Sequence, residues 1–191
     1  MKQPNPTATK ILDLAEIYTQ TKGFNAFSYR DIQNQIGVKT STIHYYFPTK
    51  SDLAYKVTER CLEQFRQMLT STAKKQHCGL KRIEALADFY VKTFKQGKSC
   101  LFMMMSIENR SLPKSVSYLV EDFFKHNQDW ITDSVELGIR QGTVKQTIEP
   151  EDFGAQFLAI LHGGMIITPN GKSSIASIKQ LFLKSIDQIR L

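Results

Sequence analysis

Cysteine is scarce in this chain of 191 residues, and its three copies show no repeated spacing. An odd count without a pattern excludes a disulfide framework and suits a reducing compartment, so the cytoplasm is the expected location. Long apolar runs are lacking as well. The most apolar window, "FLAILHGGMIIT", contains His162 and two glycines and falls short of a membrane span. The opening "MKQPNPTATK" is polar and broken by proline, so neither a secretory signal nor a transit peptide is expected. No alternation of apolar and polar residues lasts beyond a few positions, which takes away the usual mark of a half-buried strand. H-E-x-x-H, phosphate-loop and nucleophile-elbow patterns are missing, no Cys-His pair carries a catalytic signature, and His77-Cys78 has no second ligand pair. No catalytic residue, metal site or cofactor is therefore expected.

What remains is an ordinary globular composition, 41% hydrophobic and 23% charged, of a length suited to one or two small domains. The formal charge of +7 is compatible with a polyanionic partner. Residues 1–60 carry eight Lys/Arg against five Asp/Glu, so charge alone does not locate a site.

Helical periodicity runs through nearly the whole chain, and the fold class is expected to be all-α. Thr7 or Thr9 is placed to cap a first helix with the inward stripe Ile11, Leu14, Ala15 and Tyr18, ended at Lys22-Gly23. Ser28 and Asp31 form a capping pair for a short second helix, with Phe27 and Ile32 as its hydrophobic staple, and Gly37 closes it. Thr49 and Asp52 repeat that logic at the start of a long helix striped by Leu53, Val57, Cys61, Phe65 and Met68. Further helices are expected near 80–96, 99–110, 114–141, 150–168 and 173–190, separated by "QGKS", "SLPK", "RQGTVKQTIEP" and "TPNGKS". Pro6, Pro48, Pro113, Pro150 and Pro169 all fall at helix edges, consistent with the roughly 3 kcal/mol cost of proline inside a helix.

Between Gly37 and Pro48 lies an unusual run, "VKTSTIHYYF". Two short helices joined by a glycine turn form a helix-turn-helix, whose second helix can enter a major groove. Thr40, Ser41 and Thr42 are small hydroxyl residues suited to bases or phosphates, His44, Tyr45 and Tyr46 offer polar tips at the phosphate rim, and Ile43 and Phe47 face inward. The stretch "GVKTSTIHYYFPTKSDL" resembles the recognition-helix signature of TetR-family transcriptional regulators, G-V-small-x-G/S-x-L/I-Y-x-x-F-x-x-K-x-x-L. Gly37, Val38, Ser41, Ile43, Phe47, Lys50 and Leu53 match it without a gap, and "GFNAFSYRDI" resembles the segment that precedes it. His44 departs from the usual Tyr, and Lys39 from the usual Ser or Thr cap. Thr40 is then expected to take over the capping and Lys39 to reach a phosphate.

The resemblance implies an N-terminal three-helix DNA-binding domain over 1–49 and an effector-binding and dimerisation domain over 50–191, with a helix at about 50–75 connecting them. It implies a repressor that binds a palindromic site on double-stranded DNA as a homodimer and is released by a small, apolar effector, with no membrane partner. Ser28, Tyr29, Lys39, Thr40, Ser41, Thr42, His44, Tyr45, Tyr46 and Lys50 are the expected DNA-binding residues. Dimer contacts are expected from the last two helices, at Phe157, Leu161, Gly164, Ile178, Phe182 and Ile186. There Gly163-Gly164 cost roughly 1 kcal/mol each in helix stability, which close helix approach would offset.

The run "SCLFMMMSIENRSL" is the candidate effector wall, with Phe102, Met103 and Met105 joined by Phe89, Tyr90, Phe94 and Trp130. Such a stripe is equally the mark of ordinary core. Cys100 has an alternative reading as a redox or electrophile sensor, because Ser99 could cap a helix there and Lys95 and Lys98 lie nearby in sequence, conditions that lower a thiol pKa. A buried, inert thiol is the competing assignment. Two other functions stay open: a helical enzyme using Cys100 or a histidine, and a DNA-binding protein whose C-terminal part recruits a protein.

Overall fold

The computed structural model describes residues 5–108, 111–167 and 172–191, the side chains of 172 and 173 excepted. The described residues form nine α-helices: α1 (Pro6–Lys22), α2 (Tyr29–Ile36), α3 (Thr40–Tyr46), α4 (Lys50–Lys75), α5 (Gly79–Lys95), α6 (Leu101–Ile107), α7 (Lys114–Arg140), α8 (Pro150–Ile167) and α9 (Lys172–Ile189). A single 3-10 turn, Phe24–Ala26, follows α1. The protein is all-α, and its one β feature among the described residues is an isolated bridge between Val144 and Arg190. The expected helix end at 109–110 and most of the turn "TPNGKS", including Pro169, lie outside the described residues, as do the first four.

Two compact units divide the chain, one made of 1–63 with 100–121 and the other of 64–99 with 122–191. This division falls within α4 and α7 and assigns α6 to the first unit, whereas the sequence places the boundary at 49/50.

In the first unit, Asn5 rather than Thr7 or Thr9 caps α1: its side chain accepts from the Thr7 N–H, with Pro6 filling the first helical position, where no N–H is needed. The inward stripe is Ile11, Leu14, Ala15 and Thr19. Thr19 replaces Tyr18 there because its hydroxyl donates to Ala15 O at 2.7 Å, which satisfies the one polar group that stripe brings inside. Arg60 of α4 donates to Asp13 at 2.7 Å and Glu16 at 2.8 Å, tying α4 to α1. Glu108, just past α6, accepts from the Asn25 N–H at 2.9 Å, and Asn25 Nδ2 donates to Ser111 Oγ at 2.7 Å. The α4 stripe is Leu53, Val57, Cys61, Phe65 and Leu69, with Met68 only half-buried.

The second unit is held by close helix approaches. The start of α5 sits so near α7 that a Cβ on Gly79 would overlap Ser134 O and Gly138 N. On α8, a Cβ on Gly154 would meet Thr132 Oγ1 at 2.7 Å, and one on Gly164 would meet Leu181 and Phe182 of α9 at 3.2 Å. The chain end is pinned where Lys145 N–H donates to Ile189 O at 2.9 Å and Arg190 to Glu84 at 2.9 Å.

The residues expected at a dimer interface are instead inside the subunit. Phe157, Leu161, Ile178, Phe182 and Ile186 are all 0% exposed, and Gly164 faces α9 of its own chain. Their stripe is wide and apolar because it serves α8 and α9 packing on each other and α9 packing on α5.

Gly79→Ala must push a methyl into the backbone of α7, where no side chain can yield, and should cost about 1–3 kcal/mol. Gly163 meets nothing among the described residues within 4 Å, so Gly163→Ala should instead leave stability unchanged or raise it by up to about 1 kcal/mol. Denaturant titration of both variants measures the contrast.

Candidate functional site

Helix α3 has only seven residues, and its neighbours hold it in place. Gly37 ends α2 in the left-handed region, φ 71°, which costs glycine nothing, and lets the chain turn directly into α3. Lys39 occupies the N-cap position without a side-chain hydrogen bond, and Thr40 does not take over the role. Gln33 of α2 does so from outside, its Oε1 accepting from the Thr40 N–H at 3.0 Å and also from the Thr40 hydroxyl. Ile43 and Phe47 are buried, as their spacing predicts.

Tyr29 is not available to a ligand. It is buried, and its hydroxyl lies 2.8 Å from Phe47 O and 2.6 Å from Thr49 O, so that its one proton is used on the turn between α3 and α4. Burial, with Asp52 nearby, pushes the phenol up to about 12. His44 packs edge-on against the Tyr29 ring at 4.8 Å, and its Nδ1 lies 3.0 Å from Pro48 O. Ser28 is occupied in a capping box with Asp31, whose carboxyl the Ser28 side chain and backbone hold below the usual range.

Lys50 also departs from its expected place. Its ammonium donates to Phe27 O and stands over the Phe24 and Phe27 rings at 5.0 and 4.9 Å. Burial lowers its pKa against the opposing pull of Glu108 and Asp31. The charge points into the unit because the aromatic pair after α1 offers a carbonyl and two ring faces within reach.

An exposed face remains on α3: Lys39, Ser41, His44 and Tyr45, the last 79% exposed although it is a large aromatic. Tyr45 and Tyr46 meet edge-to-face at 5.0 Å, while Thr40, Thr42 and Tyr46 are half-buried at the margins. An exposed ring beside a lysine and one small hydroxyl residue is a surface fit to meet phosphates and base edges.

The expected effector residues fall in both units. Phe102, Met103 and Met105 are buried in the first unit, while Phe89, Tyr90, Phe94 and Trp130 belong to the second. Cys100 is buried at the N-cap of α6, and burial pushes its thiol up to about 11 despite the Met103 and Phe102 backbone groups that favour the thiolate. That reverses the condition a redox-sensing cysteine requires.

A polar group missed in the sequence lies in the core of the second unit. Asn127 Nδ2 donates to the Tyr90 hydroxyl at 2.9 Å, the Tyr90 hydroxyl lies 3.2 Å from His162 Nε2, and His162 Nδ1 lies 2.9 Å from Leu158 O. Burial lowers the His162 pKa. The signal was present: Val116, Val120, Phe123, Asn127 and Ile131 share the buried stripe of α7, and a polar residue in such a stripe needs partners.

Lys50→Ala should destabilise the first unit by about 1–3 kcal/mol, because Phe27 O loses its donor; urea unfolding reports the loss. His162, with its pKa lowered in the fold, favours folding fully only above its unfolded pKa of about 6.5. Stability should therefore fall as pH drops below that value, and His162→Phe should flatten the pH profile of denaturant midpoints.

Residues 11–57 match the family model of bacterial regulatory proteins, tetR family. The fatty acid metabolism regulator protein of Bacillus subtilis (strain 168) is 20% identical over 149 residues, 78% of this chain and 76% of the relative. A TetR-family transcriptional regulator from Agrobacterium tumefaciens superposes with a TM-score of 0.89 at 25% identity, covering 98% of this chain and all of that one. A transcriptional regulator from Saccharomonospora viridis, solved in complex with choline, reaches 0.83 at 19% identity over 97% and 98% of the two chains. Among the described residues no helix is long and apolar enough to cross a membrane, and no group of three or more metal-ligating side chains gathers. The helix-turn-helix and the match over 11–57 make that segment a tetR-family DNA-binding regulatory region, and the chain as a whole shares the all-α fold of a TetR-family transcriptional regulator.

Proposed function

We propose that the protein is a cytoplasmic repressor that binds a two-fold symmetric operator as a homodimer through α3 and leaves it when a small molecule occupies the second unit. The observation that carries this reading is the exposed face Lys39, Ser41, His44 and Tyr45 on a helix otherwise fully held from behind. Functionally, residues 1–49 act as the DNA-binding head and 50–191 as the effector-binding and dimerising part. Phosphate contact passes from Lys50, whose ammonium is engaged internally, to Lys39, which is exposed.

Pairing of subunits falls to the outer faces of α8 and α9. Ala155, Ala159 and Gly163 recur every four residues on the solvent side of α8, and Leu181 and Leu183 are partly exposed on α9. Small residues at that spacing let a second helix pair approach closely. A small-molecule effector is supported by the choline held by the Saccharomonospora viridis regulator and by the fatty acid metabolism named for the Bacillus subtilis relative. Release requires the effector to favour the conformation that does not fit DNA.

Selection of bound sequences from random duplexes should return a two-fold symmetric consensus. On that operator Lys39→Ala should flatten the plot of log affinity against log salt by roughly two units, since a dimer loses two phosphate contacts worth about 0.9 each. Lys50→Ala should leave the slope unchanged. Ser41→Ala should narrow the gap between operator and altered operator by about 1 kcal/mol per half-site. Absence of any enriched symmetric sequence would sink this reading.

A further inference from the structure

We propose that Asn127 Oδ1 is the recognition point of the effector site, and that the effector is a neutral, largely apolar molecule presenting one hydroxyl or N–H donor to it. The inference rests on the reading of the second unit as effector-binding and names the chemistry that site selects.

The direction of the buried hydrogen-bond chain leads there. Leu158 O can only accept, so His162 Nδ1 carries a proton. The ring is 8% exposed and its pKa is lowered by burial, so it is neutral and Nε2 accepts. The Tyr90 hydroxyl must then donate to Nε2, which leaves its oxygen to accept from Asn127 Nδ2. Reversing the Asn127 amide would ask the single Tyr90 proton to serve both His162 and Asn127. The chain therefore ends on an acceptor, Asn127 Oδ1, on a side chain 0% exposed, and no donor among the described residues reaches that oxygen. A fully buried carbonyl oxygen without a donor is costly, and a molecule that brings one removes the cost.

The surroundings narrow the class further. Phe124 and Tyr90 stand at 5.2 Å from the His162 ring and Phe123 at 6.2 Å, all nearly edge-on, and Phe65 lies 4.7 Å from Phe123. These groups favour an apolar body. A carboxylate would bring its negative charge to an amide oxygen, and a quaternary ammonium has no hydrogen to give it. An alcohol, phenol or secondary amide meets both conditions.

The test uses the full-length protein and a series of phenols, from phenol to 4-octylphenol, each paired with its methyl ether, titrated by calorimetry. At least one phenol should bind, about tenfold more tightly than its ether, since the ether lacks only the donor. In Asn127→Leu the preference should shrink to within about twofold while the ether still binds. Equal affinity of phenol and ether for the wild type, or no binding by any member of the series, overturns the assignment. Should Asn127→Leu fail to fold, the wild-type pairs decide alone. Operator affinity measured with the same compounds separates the two readings. A phenol that binds with the expected preference yet leaves DNA affinity unchanged refutes release by effector and keeps the donor site. An ether that releases DNA as well as its phenol refutes the donor site only.

Discussion

A helix of seven residues does not persist in water, because nucleation fixes more dihedrals than its few hydrogen bonds offset. Helix α3 is such a helix, and it carries the exposed face proposed to meet DNA. Its conformation is therefore imposed by its neighbours. Gln33 satisfies its first N–H, Ile43 and Phe47 sink into the unit, and the Tyr29 hydroxyl grips the turn that follows. Lys50 closes the arrangement from the other side by holding Phe27 O. The polar atoms nearest the helix are spent on keeping it rigid, which leaves Lys39, Ser41 and Tyr45 facing solvent, with the exposed His44 tied through Nδ1 to Pro48 O.

The same economy explains why Lys50 and Tyr29, expected at DNA, turn inward. Both side chains are long enough to reach either outward or inward. Inward, each meets backbone carbonyls, Lys50 at Phe27 O and Tyr29 at Phe47 O and Thr49 O, and these hydrogen bonds outweigh an exposed contact of small value. Rigid presentation matters to a reader of base edges, since a loosely held helix would spread its side chains over several registers.

The second unit shows the opposite solution. Its long helices are stable enough to tolerate a polar chain in the core, and the close approaches at Gly79, Gly154 and Gly164 bring their axes near enough for that chain to form. Aromatic rings enclose it edge-on, which keeps water from the hydrogen bonds and makes an unmet acceptor expensive. A site of this kind is responsive because one small group can change its energy.

The sequence by itself determined the helical course of the chain and the helix-turn-helix. The caps at Ser28 and Thr49, the glycine turn at Gly37 and the proline positions act within a few residues of one another, and such local rules are readable in one dimension. Periodicity told which positions turn inward, and it did so even at Phe157, Leu161, Ile178, Phe182 and Ile186. It could not tell whether that inward face meets the same chain or another, because both choices bury the same stripe. Only the tertiary structure decided this. It likewise decided the inward turn of Lys50, across 23 residues, and the Asn127–Tyr90–His162 chain, across 37 and 72. Donors and acceptors that far apart in sequence have no spacing rule to announce them, and their pairing exists only once packing has brought the helices together.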